Sequence, residues 1–190
     1  TKVEYVSPSK KKYSSLNGTH QQINESLAIS AIKSLSNFDI KDNNIEIGLA
    51  DIKWPGRLQK IRQKPFIIFD VAHNEASFYA MIEFVKSLNI IGRKIIILAI
   101  QKHKNIDSVI IEICSTFDYL IFTQTNIRNF VDARYLFARF PTDNKKIINN
   151  PINAIRSYKN YSLNDCIVIC GTHYLGEHIC NEFKISFDNI

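Results

Sequence analysis

The sequence predicts an α/β fold: a mostly parallel, Rossmann-like sheet with helices on both faces, preceded by the tail of another unit. Two observations predict the sheet. Phe66-Ile67-Ile68-Phe69 and Ile95 to Ile100 are apolar throughout instead of alternating, as strands buried on both faces are. Between such runs lie segments with apolar residues every three or four positions, and strands that alternate with helices pair in parallel. A third observation predicts the boundary. The alternation starts only after Trp54-Pro55-Gly56, where proline and glycine interrupt regular structure, so domains 1–53 and 54–190 are expected.

In order, residues 1–16 are polar and extended, with Tyr13 to Leu16 a candidate short strand. Asn17-Gly18 marks a turn, and Thr19 is placed to cap a helix from His20 to Ser36. Its apolar positions are Ile23, Leu27, Ala28, Ala31, Ile32 and Leu35, which recur at helical spacing. A polar break precedes a shorter helix, Ile45 to Ile52. After the boundary come strand Phe66 to Phe69, helix Glu75 to Leu88 (apolar through Tyr79, Met81, Phe84, Val85 and Leu88), strand Lys94 to Ile100 and helix Ile106 to Thr116. Strand Tyr119 to Thr123, helix Val131 to Phe140, helix Ile152 to Tyr158, strand Cys166 to Cys170 and helix Tyr174 to Phe183 complete the series.

Composition narrows the function. The chain has 190 residues and is 45% hydrophobic, enough for one good core. Its longest apolar runs fall far short of the roughly 20 residues that span a bilayer, and the N-terminus lacks the apolar stretch of a secretory signal; no membrane and a cytoplasmic location are expected. Four cysteines without paired spacing read as reduced core thiols. The only methionine is Met81, so the chain reads as a fragment. Net charge is +6, but beyond Lys10-Lys11-Lys12 and Lys145-Lys146 the basic residues are dispersed, which favours solvated faces and attraction of phosphate-bearing small molecules over a nucleic-acid partner.

The chemistry concentrates in W-P-G-R-L-Q-K-I-R-Q-K-P-F-I-I-F-D-V-A-H-N, Trp54 to Asn74. Ligands of open parallel sheets bind outside the carboxyl ends of strands, and Asp70 ends one. It is placed either to accept two hydrogen bonds from a ribose diol or to cap the next helix. His73 and Asn74 approach that helix's N-terminus, where amide groups and the dipole favour an anion; each could equally serve as a cap or packing residue. Arg57 follows a tight turn and is either solvated or a planar fork for phosphate. His20 and Asn24, one helical turn apart, are ordinary surface residues unless the Asn24 carboxamide meets an adenine edge. Cys170, His173, His178 and Cys180 imitate a zinc quartet, but their spacing scatters them around a helix. No P-loop, dinucleotide fingerprint or nucleophile elbow is present.

Four stretches in order, L-N-G-T-H-Q-Q-I-N, W-P-G-R-L, F-D-V-A-H-N and V-I-C-G-T-H-Y-L-G, resemble the C-terminal half of folylpolyglutamate synthase/dihydrofolate synthase in the Mur ligase superfamily. The resemblance implies an ATP-dependent ligase of folate metabolism. A carboxylate of dihydropteroate or of a folate glutamate tail is phosphorylated, and the amine of L-glutamate displaces the phosphate. It further implies that 1–53 is the tail of the ATP-binding domain and 54–190 the complete C-terminal domain, which closes on ATP about Trp54-Pro55-Gly56. The P-loop and Mg²⁺ ligands are then expected in an N-terminal part outside this sequence, with no metal ligand here. By motif, Asn24, Arg57, Asp70, His73 and Asn74 resemble the nucleotide-binding residues, and Arg57 and His73 the catalytic ones.

Partners so implied are ATP, L-glutamate and dihydropteroate or a reduced folate, met by a monomer. Two departures stand out: Val71 replaces the glycine of D-G-A-H-N, and K-H-K-N with His103 and Lys104 replaces a D-K-D-like segment. The alternatives are a non-catalytic nucleotide-binding or interaction module and a peptidoglycan-type amino-acid ligase.

Overall fold

A computed structural model describes residues 3–9, 12–127 and 129–187; Lys10 and Lys11 of the basic run lie outside the described residues. The chain divides into two compact units, Thr1–Trp54 and Pro55–Ile190.

The first unit holds helices α1 (His20–Lys33) and α2 (Asp42–Ala50). The candidate strand at Tyr13 to Leu16 is not one. The amides of Tyr13 and Ser14 donate to the Glu25 carboxylate at 2.9 and 2.8 Å, so a side chain takes the bonds a strand partner would have supplied. Nor does the Thr19 hydroxyl cap α1. Of the apolar positions expected to bury α1, Ile23, Leu27 and Leu35 are exposed; its covered residues are Gln21, Glu25 and Ser26.

The second unit is built on a six-stranded sheet ordered β1-β2-β6-β3-β4-β5. The strands are β1 (Gln59–Arg62), β2 (Phe66–Asp70), β3 (Lys94–Leu98), β4 (Tyr119–Phe122), β5 (Lys145–Ile147) and β6 (Cys166–Cys170). Only β1 is antiparallel to its neighbour; β2–β6, β6–β3, β3–β4 and β4–β5 are parallel. The helices are α3 (Glu75–Ser87), α4 (Ile110–Thr116), α5 (Ala133–Arg139), α6 (Pro151–Arg156) and α7 (Gly176–Phe183). Single 3₁₀ turns stand at 107–109, 157–160 and 173–175.

Alternate strand residues feed two cores. Ile68, Ile96, Leu98, Leu120, Phe122 and Val168 join Phe78, Met81, Val85, Ile113 and Leu136 from α3, α4 and α5. Ile67, Phe69, Ile97, Ile121 and Ile169 join Ala154, Ile155 and Ile179 from α6 and α7. Side chains alternate across a strand, so the sheet lies between two helical layers, as continuous apolar runs require. Right-handed crossovers explain the division. The chain runs from β3 to β4 to β5 in one direction, with α4 and α5 on one face, then returns through α6 to insert β6 between β2 and β3.

Within α3 the buried residues are Phe78, Met81, Ile82 and Val85, while Tyr79 is exposed and hydrogen-bonds the Ser108 carbonyl at 3.1 Å. Edge strands β1 (Q-K-I-R) and β5 (K-K-I) carry no apolar run and are at most half-buried, which hid them from a reading based on hydrophobic runs.

Candidate functional site

The inserted strand creates a crevice. Asp70 at the end of β2 pairs with Cys170 at the end of β6, which pairs with Leu98 at the end of β3. After β2 the chain turns toward α3, and after β6 toward α7 on the opposite face. Loops that part in this way leave room for a ligand at the carboxyl edge.

On the β2 side a short turn presents Arg57. Gly56 has φ +74, and a Cβ there would lie 2.5 Å from Val71 Cγ1, so the position takes no side chain without displacing Val71. The Val71 amide donates to the Gly56 carbonyl at 2.8 Å. Leu58, φ +45 and 1% exposed, is an uncommon left-handed residue. What holds it is Asp70: Oδ2 accepts the Leu58 amide at 2.8 Å while Oδ1 accepts the Ala72 amide at 2.7 Å. One carboxylate therefore fastens the arginine turn to the loop after β2.

Asp70 is 6% exposed. Burial pushes its carboxyl up from 3.8 to about 6, against the Leu58 and Ala72 amides and the charges of Arg57 and His73, which all pull it down. Burial wins because it disfavours the anion more than two amide bonds favour it. Neither sequence reading of Asp70 foresaw this clasp, and the cap reading is corrected, because Asn74 is the N-cap of α3. Asn74 Oδ1 accepts the Ser77 amide at 2.9 Å and Ser77 Oγ accepts the Asn74 amide at 3.1 Å, a reciprocal box that satisfies two end donors.

His73 stands half-buried between the clasp and the cap. Its Nδ1 lies 2.8 Å from the Val71 carbonyl. A carbonyl only accepts, so Nδ1 carries a proton there and Nε2 is the ring nitrogen left to face a ligand. Arg57, Asp70, His73 and Asn74 are thus gathered around one strand end. Asn24 belongs to the first unit, exposed on α1, with its Nδ2 donating to Gln21 Oε1 at 3.0 Å. That bond orients the carboxamide and leaves its oxygen to accept.

Two neighbouring loops at the same edge carry stretches that the sequence singled out, V-I-C-G-T-H-Y-L-G and K-H-K-N. After β6, Gly171 has φ +105, and a Cβ would meet the Ala99 carbonyl oxygen at 2.1 Å, so only glycine lets β6 end this close to β3. Thr172 Oγ1 then accepts the Tyr174 amide at 3.3 Å, and the His173 and Tyr174 rings lie 4.0 Å apart. After β3, a cleft of about 470 Å³ is bordered by Lys102, His103 and Lys104, with Tyr135 and Arg139 opposite. His103 has φ +68. The K-H-K-N departure had marked the first wall of this cleft; α5 supplies the second, which no local motif signals. Cys170 is fully buried, and its thiol is pushed up by burial and by the Asp70 charge. Among the described residues no group of three or more His, Cys, Asp or Glu is placed to hold a metal, and no helix is long and apolar enough to cross a membrane.

The family described as Mur ligase, glutamate ligase domain, matches residues 56–173. A dihydrofolate synthase/folylpolyglutamate synthase of Bacillus subtilis is 26% identical over 174 residues, 90% of this chain and 40% of its own length. Among solved structures, Mycobacterium tuberculosis folylpolyglutamate synthase complexed with ADP superposes with a TM-score of 0.80 at 22% identity, over 92% of this chain and 42% of that one. The bifunctional Yersinia pestis enzyme complexed with AMPPNP and Mn ion gives 0.75 at 19% identity, over 84% and 38%. The chain spans about two fifths of the length of these relatives.

Proposed function

Because this chain belongs to the Mur ligase, glutamate ligase domain family, we propose that it is the C-terminal portion of an ATP-dependent folate ligase. On this reading the protein adds L-glutamate to dihydropteroate, to a folyl-glutamate, or to both. Residues 1–53 are the tail of the nucleotide-binding domain, and residues 54–190 form the domain that closes over it. The observation that carries the reading is the gathering of Arg57, Asp70, His73 and Asn74 at one strand end, on a fold matched to relatives solved with nucleotide. It works in the cytoplasm as a monomer.

The chemistry has two steps. The carboxylate attacks the γ-phosphorus of ATP and ADP leaves; the glutamate amine then attacks the acyl phosphate, forming the amide and releasing phosphate. Arg57, held by the Gly56 turn and the Asp70 clasp, offers a planar fork to phosphate oxygens whose charge shifts during transfer. Pre-fixing the turn removes orientational freedom before the reaction. Nε2 of His73, the ring nitrogen not committed to the Val71 carbonyl, takes the proton that the glutamate ammonium must lose. Asp70 acts through Arg57 and so positions. Asn24 accepts from the adenine amino group. By resemblance the Mg²⁺ ligands belong to the upstream part, and the ion bound there would neutralise charge on the phosphates.

Calorimetry with Mg-ATP tests the reading on this chain joined to the upstream part of the Bacillus subtilis relative. Binding should weaken at least tenfold in Arg57→Ala. Failure to bind, or indifference to that substitution, rejects it.

A further inference from the structure

At the amino-terminal edge of the sheet, opposite the end that carries Asp70, three loops meet: the turn between β1 and β2, the 88–93 segment before β3, and the turn before β6. Backbone bonds lock them together. The Phe66 amide donates to the Asp165 carbonyl at 3.0 Å, the Gly92 amide to the Asn164 carbonyl at 3.1 Å and the Cys166 amide to the Arg93 carbonyl at 2.8 Å. A Cβ on Gly92 would lie 2.5 Å from the Asn164 oxygen, so two of the loops approach as closely as only glycine allows. Their tips are nevertheless apolar and open. Ile91 is 87% and Leu163 60% exposed, and both border a hollow of about 280 Å³ with Lys64, Phe66, Leu88 and Ile90. Single apolar residues on a surface are ordinary, but two on adjoining, tied loops over an apolar hollow make a patch.

Cations flank that patch, with Arg62, Lys64 and Arg93 all exposed. The carboxylates beside them are committed. Asp165, 2% exposed, accepts the Ser162 and Arg93 amides and one arm of the Arg93 guanidinium, and Glu182 pairs with Arg156 and Lys159. Asp118 and Asp143 lie farther along the edge, before β4 and β5. Arg62 and Lys159 stand 5.2 and 5.6 Å from the centroid of the Tyr158 ring, and Arg93 stands 5.4 Å from that of Tyr161, so the phenol faces on which nucleic-acid bases would stack are already taken. What points outward is a pair of aliphatic tips among cations.

We propose that this edge docks on the surface of an anionic phospholipid bilayer. Ile91 and Leu163 enter the headgroup boundary, and Arg62, Lys64 and Arg93 meet lipid phosphates. Charge complementarity argues for that occupant, and aliphatic rather than aromatic tips favour lipid over a nucleic acid. Among the described residues no helix is long and apolar enough to cross a membrane, and docking of this kind needs none. The five residues of β2 put about 16 Å between this edge and Asp70, so a docked molecule keeps its candidate site open to small-molecule substrates. The proposal does not depend on the folate-ligase reading.

Co-sedimentation of the 190-residue chain with vesicles tests it. The chain should pellet at least tenfold more with vesicles of phosphatidylcholine and phosphatidylglycerol than with phosphatidylcholine alone, and raised salt should release it. Ile91→Ser/Leu163→Ser and, separately, Arg62→Ser/Lys64→Ser should each lower binding at least fivefold at unchanged far-ultraviolet circular dichroism, since all four side chains are exposed. Ile111→Ser on α4, 65% exposed, should bind as the wild type does. Failure to bind the anionic vesicles, or equal binding to the neutral ones, overturns the proposal. So does full binding by Ile91→Ser/Leu163→Ser, which would assign the attraction to the dispersed lysines of the chain. Binding of an oligouridylate by a chain that leaves the anionic vesicles alone would make the edge a nucleic-acid surface and overturn it as well.

Discussion

The Leu58 amide donates to Oδ2 of Asp70 at 2.8 Å, and this bond ties the turn that presents Arg57 to the end of the sheet's second strand. The Ala72 amide occupies the other oxygen at 2.7 Å, so a single buried carboxylate sets the spacing between Arg57 and His73. Removing it in Asp70→Ala strands two amides, each at a cost of about 1–3 kcal/mol when unsatisfied. Chemical denaturation should show a loss of about 2–6 kcal/mol, with Asp70→Asn losing less because its one carbonyl oxygen still accepts.

The same residue gives the second unit a pH signature. The folded carboxyl sits near 6 rather than 3.8, so between those values the folded state holds a proton that the unfolded state has released. Stability contributed by Asp70 is complete below about pH 4 and is lost as pH rises through 6, by up to about 3 kcal/mol. A denaturation series from pH 4 to 7 should show that decline in the wild type and a flatter line in Asp70→Asn.

Val71 is where this chain departs from the glycine its resemblance led one to expect, and it packs where a Gly56 side chain would go. Gly56→Ala should therefore destabilise through both a 2.5 Å clash and about 1 kcal/mol of left-handed strain. In a Val71→Gly background the strain and a tight 3.2 Å approach to Phe69 Cε1 remain, without the Val71 clash. A double-mutant cycle measures the difference, and coupling of at least about 0.5 kcal/mol is expected for side chains in contact.

Asn74 offers a way to separate scaffold from chemistry. Its side-chain oxygen is committed to the α3 cap, so Asn74→Ala should cost about 1 kcal/mol of stability. Asn74→Asp keeps the cap, adds charge at the helix N-terminus, and should preserve stability while weakening the binding of a phosphate anion held at the same edge. Thermal unfolding beside nucleotide titration distinguishes the two effects.

How much could be read beforehand follows from what each signal depends on. The four central strands were legible because both faces are buried and the runs are continuous; β1 and β5 were not, being short edges with polar sequences. The cluster at Trp54 to Asn74 was legible because a strand end and a helix start are sequence neighbours. The Asp70–Leu58 clasp was not, since it joins residues 12 apart across a turn. Tyr135 and Arg139 reach the cleft after β3 only because α5 packs back across the sheet. The inverted face of α1 defeated the periodicity rule itself: the spacing was right, and the assumption that apolar means inward was not.

Glutamate-dependent ADP release tests the central claim most directly, that the end of the second strand is the phosphate-facing half of a folate ligase. It is measured on this chain joined to the upstream part of the Bacillus subtilis relative, with dihydropteroate and Mg-ATP. The expected result is turnover by the joined wild type, a loss of at least a hundredfold in Arg57→Ala that Arg57→Lys only partly restores, and none from residues 1–190 alone. Equal turnover by Arg57→Ala, or ADP release by the isolated chain, would contradict it.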